Sequence, residues 1–337
     1  PDHKVAIHLI VKVLTDKEYG VVSDMSEISA VGHRVVHGGE KFTCSVMIDD
    51  AVLDAIKEVQ HLAPLHNPPN ISGIEAAQAN LPDVPHVAIF DTAFHQTMPE
   101  HAYMYPVPYE WYEKYSVRRY GFHGLSYRSL VEHLPAVSES RLPGRLLALH
   151  LGNGASLCAI RNGKSVATTM GYSPLDGLTM GTRCGGIDAN AVLRMVEDLG
   201  LAKTARILNT ESGLRGLSGG VSDMQRLLDS RDAATAFAVD HFCYWVNRHA
   251  GSLMAAMGGL DAVAFTGGIG ENAPAVRQRV CLAMEWLGVV LDPDANRRGG
   301  PRLHASTSDI PVWIVPARED LMIARDARSL LRDRVAV

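Results

Sequence analysis

The sequence predicts an α/β chain of two domains that carries its ligand-binding groups at the carboxyl ends of strands. Three observations predict it. The 337 residues exceed what one ordinary core organises. Short apolar runs alternate with helix-period stretches along the whole chain. Several of those runs stop abruptly in Gly or Asp, as in "VVHGG", "VAIFD", "HLGNG" and "AFTGG".

The elements follow in order. Residues 3–14 carry Val5, Ile7, Ile10 and Val13 as a helical stripe, and 28–39 read as a buried strand ending in a Gly-Gly corner. A helix over 49–60 is entered from Asp49 and Asp50. "LAPLHNPPN" (62–70) holds too much Pro for regular helix, so the helix over 70–80 starts from Asn70. Residues 86–95 form a strand ending at Asp91, and the Tyr- and Pro-bearing stretch 99–120 reads as an irregular connection. Residues 126–134 suit a helix with Ser126 near its N-cap. Two hairpin strands occupy 145–168, turning at Asn162-Gly163, and a Gly-rich loop follows over 172–186. Helices are expected over 188–198, 202–208, 224–229 and 232–257. A buried strand over 261–268 runs into a Gly loop, then come a helix over 273–287, a last strand over 309–317 and a closing helix over 319–334. No short-period repeat or Pro/Ser-rich linker interrupts them.

Composition narrows the function. Apolar residues make up 47%, charged residues 20%, and the net charge is −5. That suits a globular protein and argues against a general nucleic-acid binder. No stretch approaches the ~20 apolar residues that span a bilayer, and the start shows no signal-peptide pattern. The five cysteines form no CxxC pair, which points to free thiols in a reducing cytoplasm rather than to zinc or disulfides.

Four strand-end clusters hold groups capable of chemistry. Arg34, at the end of a buried strand, is costly unless it meets an anion; its planar fork suits a ligand carboxylate or phosphate, or a structural Asp or Glu. Asp91 occupies a common magnesium or general-base position, or caps 92–98. "RRYGFHG" (118–124) gathers Arg118, Arg119 and His123 between glycines that allow close backbone approach. "MGYSPLDGLTMGTRCGGID" (170–188) is a Gly-rich loop whose Arg183 makes anion binding plausible. "HLGNGAS" and "FTGGIGEN" add two Gly corners; neither is a Walker A loop nor a GxGxxG fingerprint.

Taken together, "GHRVVHGGEKF", "LAPLHNPPN", "FDTAFHQTMP", "RRYGFHG", "HLGNGAS", "MGYSPLDGLTMGTR" and "FTGGIGENA" resemble, in this order, the acetate kinase family of short-chain acyl kinases. The resemblance covers about residues 1–330. It implies an actin-like, sugar-kinase-type (ASKHA) fold of two α/β domains around an ATP cleft, the first from 1–92 with 317–337 and the second, nucleotide-binding, from 93–316. It implies reversible in-line transfer of the ATP γ-phosphoryl group to acetate, giving acetyl phosphate and ADP, by a cytoplasmic homodimer with Mg²⁺ or Mn²⁺. Neither nucleic acid nor membrane is among the implied partners.

The resemblance also implies site residues. Arg34 and Arg183 hold the carboxylate and the phosphoryl group in flight, His123 hydrogen-bonds that phosphoryl group, Asp91 is the essential aspartate, and Glu319 lies near the metal. His66 and His150 are further cleft histidines. Asn153 and Gly154 contact phosphate. Asp223, Met224, Gln225, Gly268, Ile269 and Asn272 surround the nucleotide with His150. Val36, Leu65, Phe122 and Pro174 wall the substrate methyl group.

This sequence departs from the family pattern in several places. The usual opening strand and Asn-x-Gly-Ser-Ser corner are not in it, and the chain enters at the following helix. Leu125 and Tyr127 stand where Thr and His are usual, Gly186 and Ala189 where Asp and Pro are, and Gln225 where Arg is. Ala317-Arg318 replaces Thr-Asn, and Asp320 replaces a second Glu. Two other readings accompany the acetate kinase: a propionate kinase of the same fold, and a shortened or degenerate relative that binds nucleotide without efficient catalysis.

Overall fold

The computed structural model describes residues 9, 10 and 12–335, so the helix expected over 3–14 falls largely outside the described residues. The chain divides into two compact units, Pro1–Gln96 with Arg318–Val337, and Thr97–Ala317.

The first unit is built on a three-stranded sheet. Strand β1 (Val31–Val35) runs parallel to β3 (His86–Phe90), whose other edge pairs antiparallel with the short β2 (Val46–Met47). The helix Asp50–Glu58 is capped by the Asp49 carboxylate, which accepts from Val52 N at 2.8 Å. Leu53, Ala55 and Ile56 point inward from it to join Val35, Ile71, Ile74 and the stacked rings of Phe42 and Phe90. The next helix starts at Asn67 rather than at the expected Asn70, and runs to Asn80. Pro68 and Pro69 lie in its first turn, where a missing N–H breaks no helical bond. The closing helix Glu319–Val335 packs on β1. Gly32 lets it approach, because a Cβ there would collide with Ile323.

The second unit holds a five-stranded sheet ordered β6-β5-β4-β7-β8. Strands β4 (Arg145–Leu151), β5 (Ala155–Arg161) and β6 (Lys164–Thr168) form an antiparallel meander of two hairpins, one strand more than expected for 145–168. The second hairpin turns at Asn162-Gly163, where both residues have positive φ. Strands β7 (Ala262–Thr266) and β8 (Val312–Ile314) continue the sheet parallel to β4. Its central strands are buried on both faces. The long helix Ala233–Met257 packs along β4, β5 and β6, and the helix Gly124–Ser138 packs against β4 and β7.

Other expectations need correction. Residues 99–120 contain two short helices, Glu100–Tyr103 and Tyr109–Tyr115. "GGIGEN" is the helix Gly267–Asn272, not a loop. Ser126 is no cap: the helix begins at Gly124, and Ser126 is buried in its first turn. The helices Gly213–Leu217 and Pro293–Arg298 carry too few apolar residues to show a period. All five cysteines are free, and no helix among the described residues is long and apolar enough to cross a membrane.

Candidate active site

The site residues assemble as two clusters, one in each unit. In the first unit, Arg34 sits opposite Ile89 in the β1–β3 register, and Asp91 follows β3 directly. Parallel pairing therefore delivers both side chains to the carboxyl edge of the sheet. Arg34 grips Asp91 with two bonds, Nε to Oδ1 at 2.9 Å and Nη2 to Oδ2 at 2.7 Å. Its Nη1 lies 3.1 Å from Oε2 of Glu319, the first residue of the closing helix. Arg34 thus meets carboxylates of its own chain while its side chain stays 40% exposed.

The charges in this cluster are unequal. Burial opposes the Arg34 charge, but Asp91 and Glu319 outweigh it and raise the guanidinium pKa. Glu319 fares the other way: burial raises its pKa, Arg34 lowers it only in part, and Asp91 and Asp320 raise it again. One cation faces more negative charge than it can cancel. A divalent cation would supply the difference, and the oxygen donors of Asp91 and Glu319 suit Mg²⁺ or Mn²⁺, which complete their shells with water and phosphate. Among the described residues no group of three or more His, Cys, Asp or Glu could hold an ion alone. The residues present therefore fit a metal that arrives with phosphate oxygens.

The neighbouring histidine is structural. His86 Nε2 bonds the Leu81 carbonyl at 3.1 Å and so carries its proton there; its Nδ1 accepts from His33 Nε2 at 2.9 Å. Burial and the second ring push the His33 pKa down to about 4. His33 is neutral near pH 7 and belongs to the strand, not to the site.

Two asparagines, Asn67 and Asn70, neither expected as a site residue, position the segment after β1. Asn67 accepts from His37 N at 3.1 Å and donates to His37 O at 2.9 Å, as a neighbouring strand would, and Asn70 accepts from Val36 N at 3.1 Å. Both amides stand in "HNPPN", on either side of the prolines that open the helix. His66 lies at the N-cap position of the same helix.

The second cluster forms where the helix Gly124–Ser138 meets β4 and β5. His123, its N-cap, has φ 59° and ψ 21°, a left-handed conformation that costs a side-chain-bearing residue roughly 1–2 kcal/mol. The side chain makes no cap bond; its Nδ1 instead meets Ser156 Oγ at 2.8 Å. The His123 ring stacks on His150 at 4.0 Å between centroids, and His150 Nδ1 meets Ser126 Oγ at 2.8 Å. His150 and Ser156 are direct cross-strand partners in the β4–β5 register.

Beside them the chain turns through Gly152-Asn153-Gly154. Gly152 N donates to Gly154 O at 3.0 Å, and Gly181 N clasps Asn153 O at 3.0 Å. A Cβ on Gly154 would stand 2.5 Å from Arg183 Nη2 and 3.3 Å from His123 Nε2. The guanidinium and the imidazole therefore converge on this corner, and only glycine leaves them room. Arg183 donates from Nη1 to the Pro174 carbonyl at 2.7 Å. Burial lowers its pKa and no carboxylate raises it again, the reverse of Arg34. A half-buried cation held by a carbonyl alone favours an anionic ligand.

The same corner opens on a cavity of about 400 Å³. It brings together seven of the expected nucleotide residues: Asn153, Asp223, Met224, Gln225, Gly268, Ile269 and Asn272. Gly152, Ser222 and Ala273 complete the lining and were not expected. Asp223 caps the helix Met224–Asp229 through Arg226 N, and Gln225 donates to both oxygens of Asp229. Gly267 starts its helix at φ 78°, with Leu151 O 2.8 Å from where a Cβ would be. Gly268 has nothing within 4 Å of that position, so its missing side chain leaves open space.

The expected apolar wall is divided. Val36 is half-buried and Leu65 exposed in the first unit, whereas Phe122 and Pro174 are buried in the second. Phe122 is only 1% exposed, so its ring is core and offers almost no free surface.

The two sheets with their covering helices define an α/β protein of two units, the second carrying a glycine-lined cavity at a strand end. The acetokinase family profile matches residues 1–325. Acetate kinase of Geobacter metallireducens is 50% identical to this chain over 98% of its length and 81% of the relative's. The crystal structure of Porphyromonas gingivalis acetate kinase superposes with a TM-score of 0.91 at 41% identity, covering 98% of this chain and 85% of that one. A propionate kinase from Francisella tularensis superposes with a TM-score of 0.91 at 37% identity, covering 97% and 84%. The chain belongs to the acetokinase family.

The unequal charges have a measurable effect. The folded chain holds the Glu319 pKa above its ordinary 4.5, so ionising this group costs stability. That cost is fully present above the raised pKa and vanishes below the ordinary value. Glu319→Gln is expected to raise the urea midpoint at pH 7, with the gain shrinking to nothing as pH falls through that window. An unchanged midpoint at pH 7 would contradict the surplus of negative charge.

Proposed function

We propose that this chain transfers the γ-phosphoryl group of ATP to acetate, reversibly, giving acetyl phosphate and ADP. The observation that carries the reading is Arg183: a half-buried guanidinium without a carboxylate partner, converging with His123 Nε2 on the Gly154 corner beside the cavity. Phosphoryl transfer asks little covalent chemistry of a protein; it asks for charge neutralisation and in-line placement. In the forward direction an acetate oxygen bonds to the γ-phosphorus, the bond from that phosphorus to the bridging oxygen breaks, and ADP leaves.

The cavity residues hold the adenosine, with Asn153 and Gly154 toward the phosphates and His150 supporting His123. Arg183 and His123 Nε2 answer the charge on the phosphoryl oxygens as it passes, a role in which a fixed donor supplies ~3–4 kcal/mol. Arg34, held by Asp91, orients the carboxylate. Asp91 and Glu319 would hold Mg²⁺ or Mn²⁺, which when bound neutralises phosphate charge. Val36 and Leu65 supply apolar surface for the methyl group. ATP as co-substrate argues for a cytoplasmic enzyme.

A second substrate reading has its own support in the similarity to the Francisella propionate kinase. One methylene is worth only ~1–3 kcal/mol in an apolar pocket, so both acids are expected to react. The test is a hydroxamate assay for acyl phosphate with each acid. A higher kcat/KM for acetate is expected; a strong propionate preference would reassign the substrate, and no acyl phosphate from either would defeat the carboxylate kinase reading.

We also propose a homodimer. The helix Ala189–Leu199 buries none of its residues within the chain, and Ile187, Leu193, Leu199 and Leu201 are exposed along it and just beyond. A second copy would cover this face.

Three further outcomes are expected. Arg183→Ala and Arg34→Ala each lower kcat by ~10²-fold or more, and near-normal turnover in both would remove the arginines from the mechanism. Gly268→Ala leaves the thermal midpoint unchanged while raising KM for ATP, since the added methyl enters open space; an unchanged KM would detach Gly268 from the nucleotide. Leu193→Glu combined with Leu201→Glu yields monomers by sedimentation velocity, and persistence of the dimer would place the interface elsewhere.

A further inference from the structure

Glu271 stands in "FTGGIGENA" but belongs to neither cluster. It lies on the helix Gly267–Asn272, whose Gly268 and Ile269 line the cavity. Side chains on a helix lean toward its N-terminus, so residue 271 reaches back over residue 267. Glu271 Oε1 accepts from Gly267 N at 3.0 Å, an N–H at the helix start that no helical carbonyl can serve. The same oxygen accepts from Ala317 N at 3.1 Å. Ala317 is the last residue of the second unit, and Glu319 follows two residues later. One oxygen thus joins the start of the cavity helix to the point where the chain leaves the unit.

The main chain at Glu271 is fixed from the other side. Arg277, 1% exposed, donates from Nη1 to Gly270 O at 3.0 Å and to Glu271 O at 2.9 Å, and it holds Asn296 through Nε and Nη2. The weak part is the helix itself. Three of its six residues are glycine, a poor helix former, and so short a helix is marginal on its own. The Glu271 carboxylate stands over Gly267 only while this helix is formed, because its reach spans four residues of it. A ligand seated against Gly268 and Ile269 adds contacts to the helical form, and so favours that form over the frayed one.

We infer that Glu271 is a positioning residue that carries the seating of nucleotide from Gly268 and Ile269 to Ala317, and so holds the segment leading to Glu319 when the cavity is filled. This rests on the reading of the cavity as the nucleotide site. Ala317 itself is not among the cavity residues, so its amide reports the coupling rather than direct contact with the ligand. The strand pairing of Val315 N with Phe265 O offers a second route between the same segments, and removing the carboxylate separates the two.

The test is amide hydrogen exchange of the full chain with and without ADP, no metal added, read at Ala317 and across 267–272. In the wild type ADP is expected to slow exchange at both, at Ala317 by about tenfold. Glu271→Gln keeps a carbonyl oxygen at the same reach and is expected to behave as the wild type does. Glu271→Leu loses the acceptor. Its Ala317 amide is expected to exchange about tenfold faster without ADP and to ignore ADP, while 267–272 still respond. The kcat is expected to fall in Glu271→Leu and to be restored in Glu271→Gln. Should Glu271→Leu not fold, Glu271→Asp, whose carboxylate is one methylene short of Ala317 N, is read in the same way. An Ala317 amide that ignores ADP in the wild type, or still responds in Glu271→Leu, overturns the proposal. Loss of that response with kcat unchanged overturns the positioning role. If ADP also leaves 267–272 unprotected in the wild type, the proposal falls with the nucleotide reading of the cavity rather than through the coupling.

Discussion

The second cluster depends on leaving one positive charge uncompensated. Arg183 is held by the Pro174 carbonyl, and its other nitrogen lies over a residue without a side chain. A half-buried charge met only by a carbonyl is unfavourable, and the surrounding structure must hold it in place. It does so with backbone: Met180 N bonds Arg183 O, Gly181 N bonds Asn153 O, and Leu214 N bonds Met180 O. The Gly-rich stretch is thus a clamp of main-chain bonds that fixes the guanidinium without neutralising it. Arg34 is the complementary case, fixed by carboxylates that cancel its charge and leave a negative remainder.

Much of the architecture was legible because its strands are unambiguous. "LLALHL", "AVAF" and "VAIF" are apolar on both sides, and a sheet covered on both faces writes that directly into the chain. Elements were misread where a local rule competed with context. Two prolines hid the start of the helix Asn67–Asn80, although the first turn tolerates them. Ser126 looked like a cap, yet the cap is His123, in a conformation that nothing in its side chain foretells. The glycines of "GGIGEN" read as a loop because glycine is a poor helix former, but Gly267 is needed where the short helix leaves the strand close to Leu151 O.

The candidate site was legible in its residue types and much less so in their partners. Arg34, Asp91, His123 and Arg183 stand at strand ends or between glycines, positions that advertise a ligand. That Arg34 is tied to Asp91, 57 residues away, while Arg183 meets only a main-chain carbonyl could not be read from spacing. Ser156 gives no signal for the same reason: its partner His123 lies 33 residues away, and in the sequence it is one residue of a strand. The expected contribution of Phe122 failed because burial, not residue type, decides whether a ring has a surface to offer.

The first unit is not one stretch of chain. It takes residues 1–96 and then 318–337, with the whole second unit inserted between. The second unit is contiguous, so during synthesis its sheet can close before the first unit has all its parts. Arg34 and Asp91 are made before the second unit, and Glu319, their partner, after it. The paired carboxylates therefore come together only after the whole second unit has been made. A chain stopped before Glu319 would have the corner Gly152-Asn153-Gly154 formed, while Arg34 and Asp91 would lack the second carboxylate that completes their cluster.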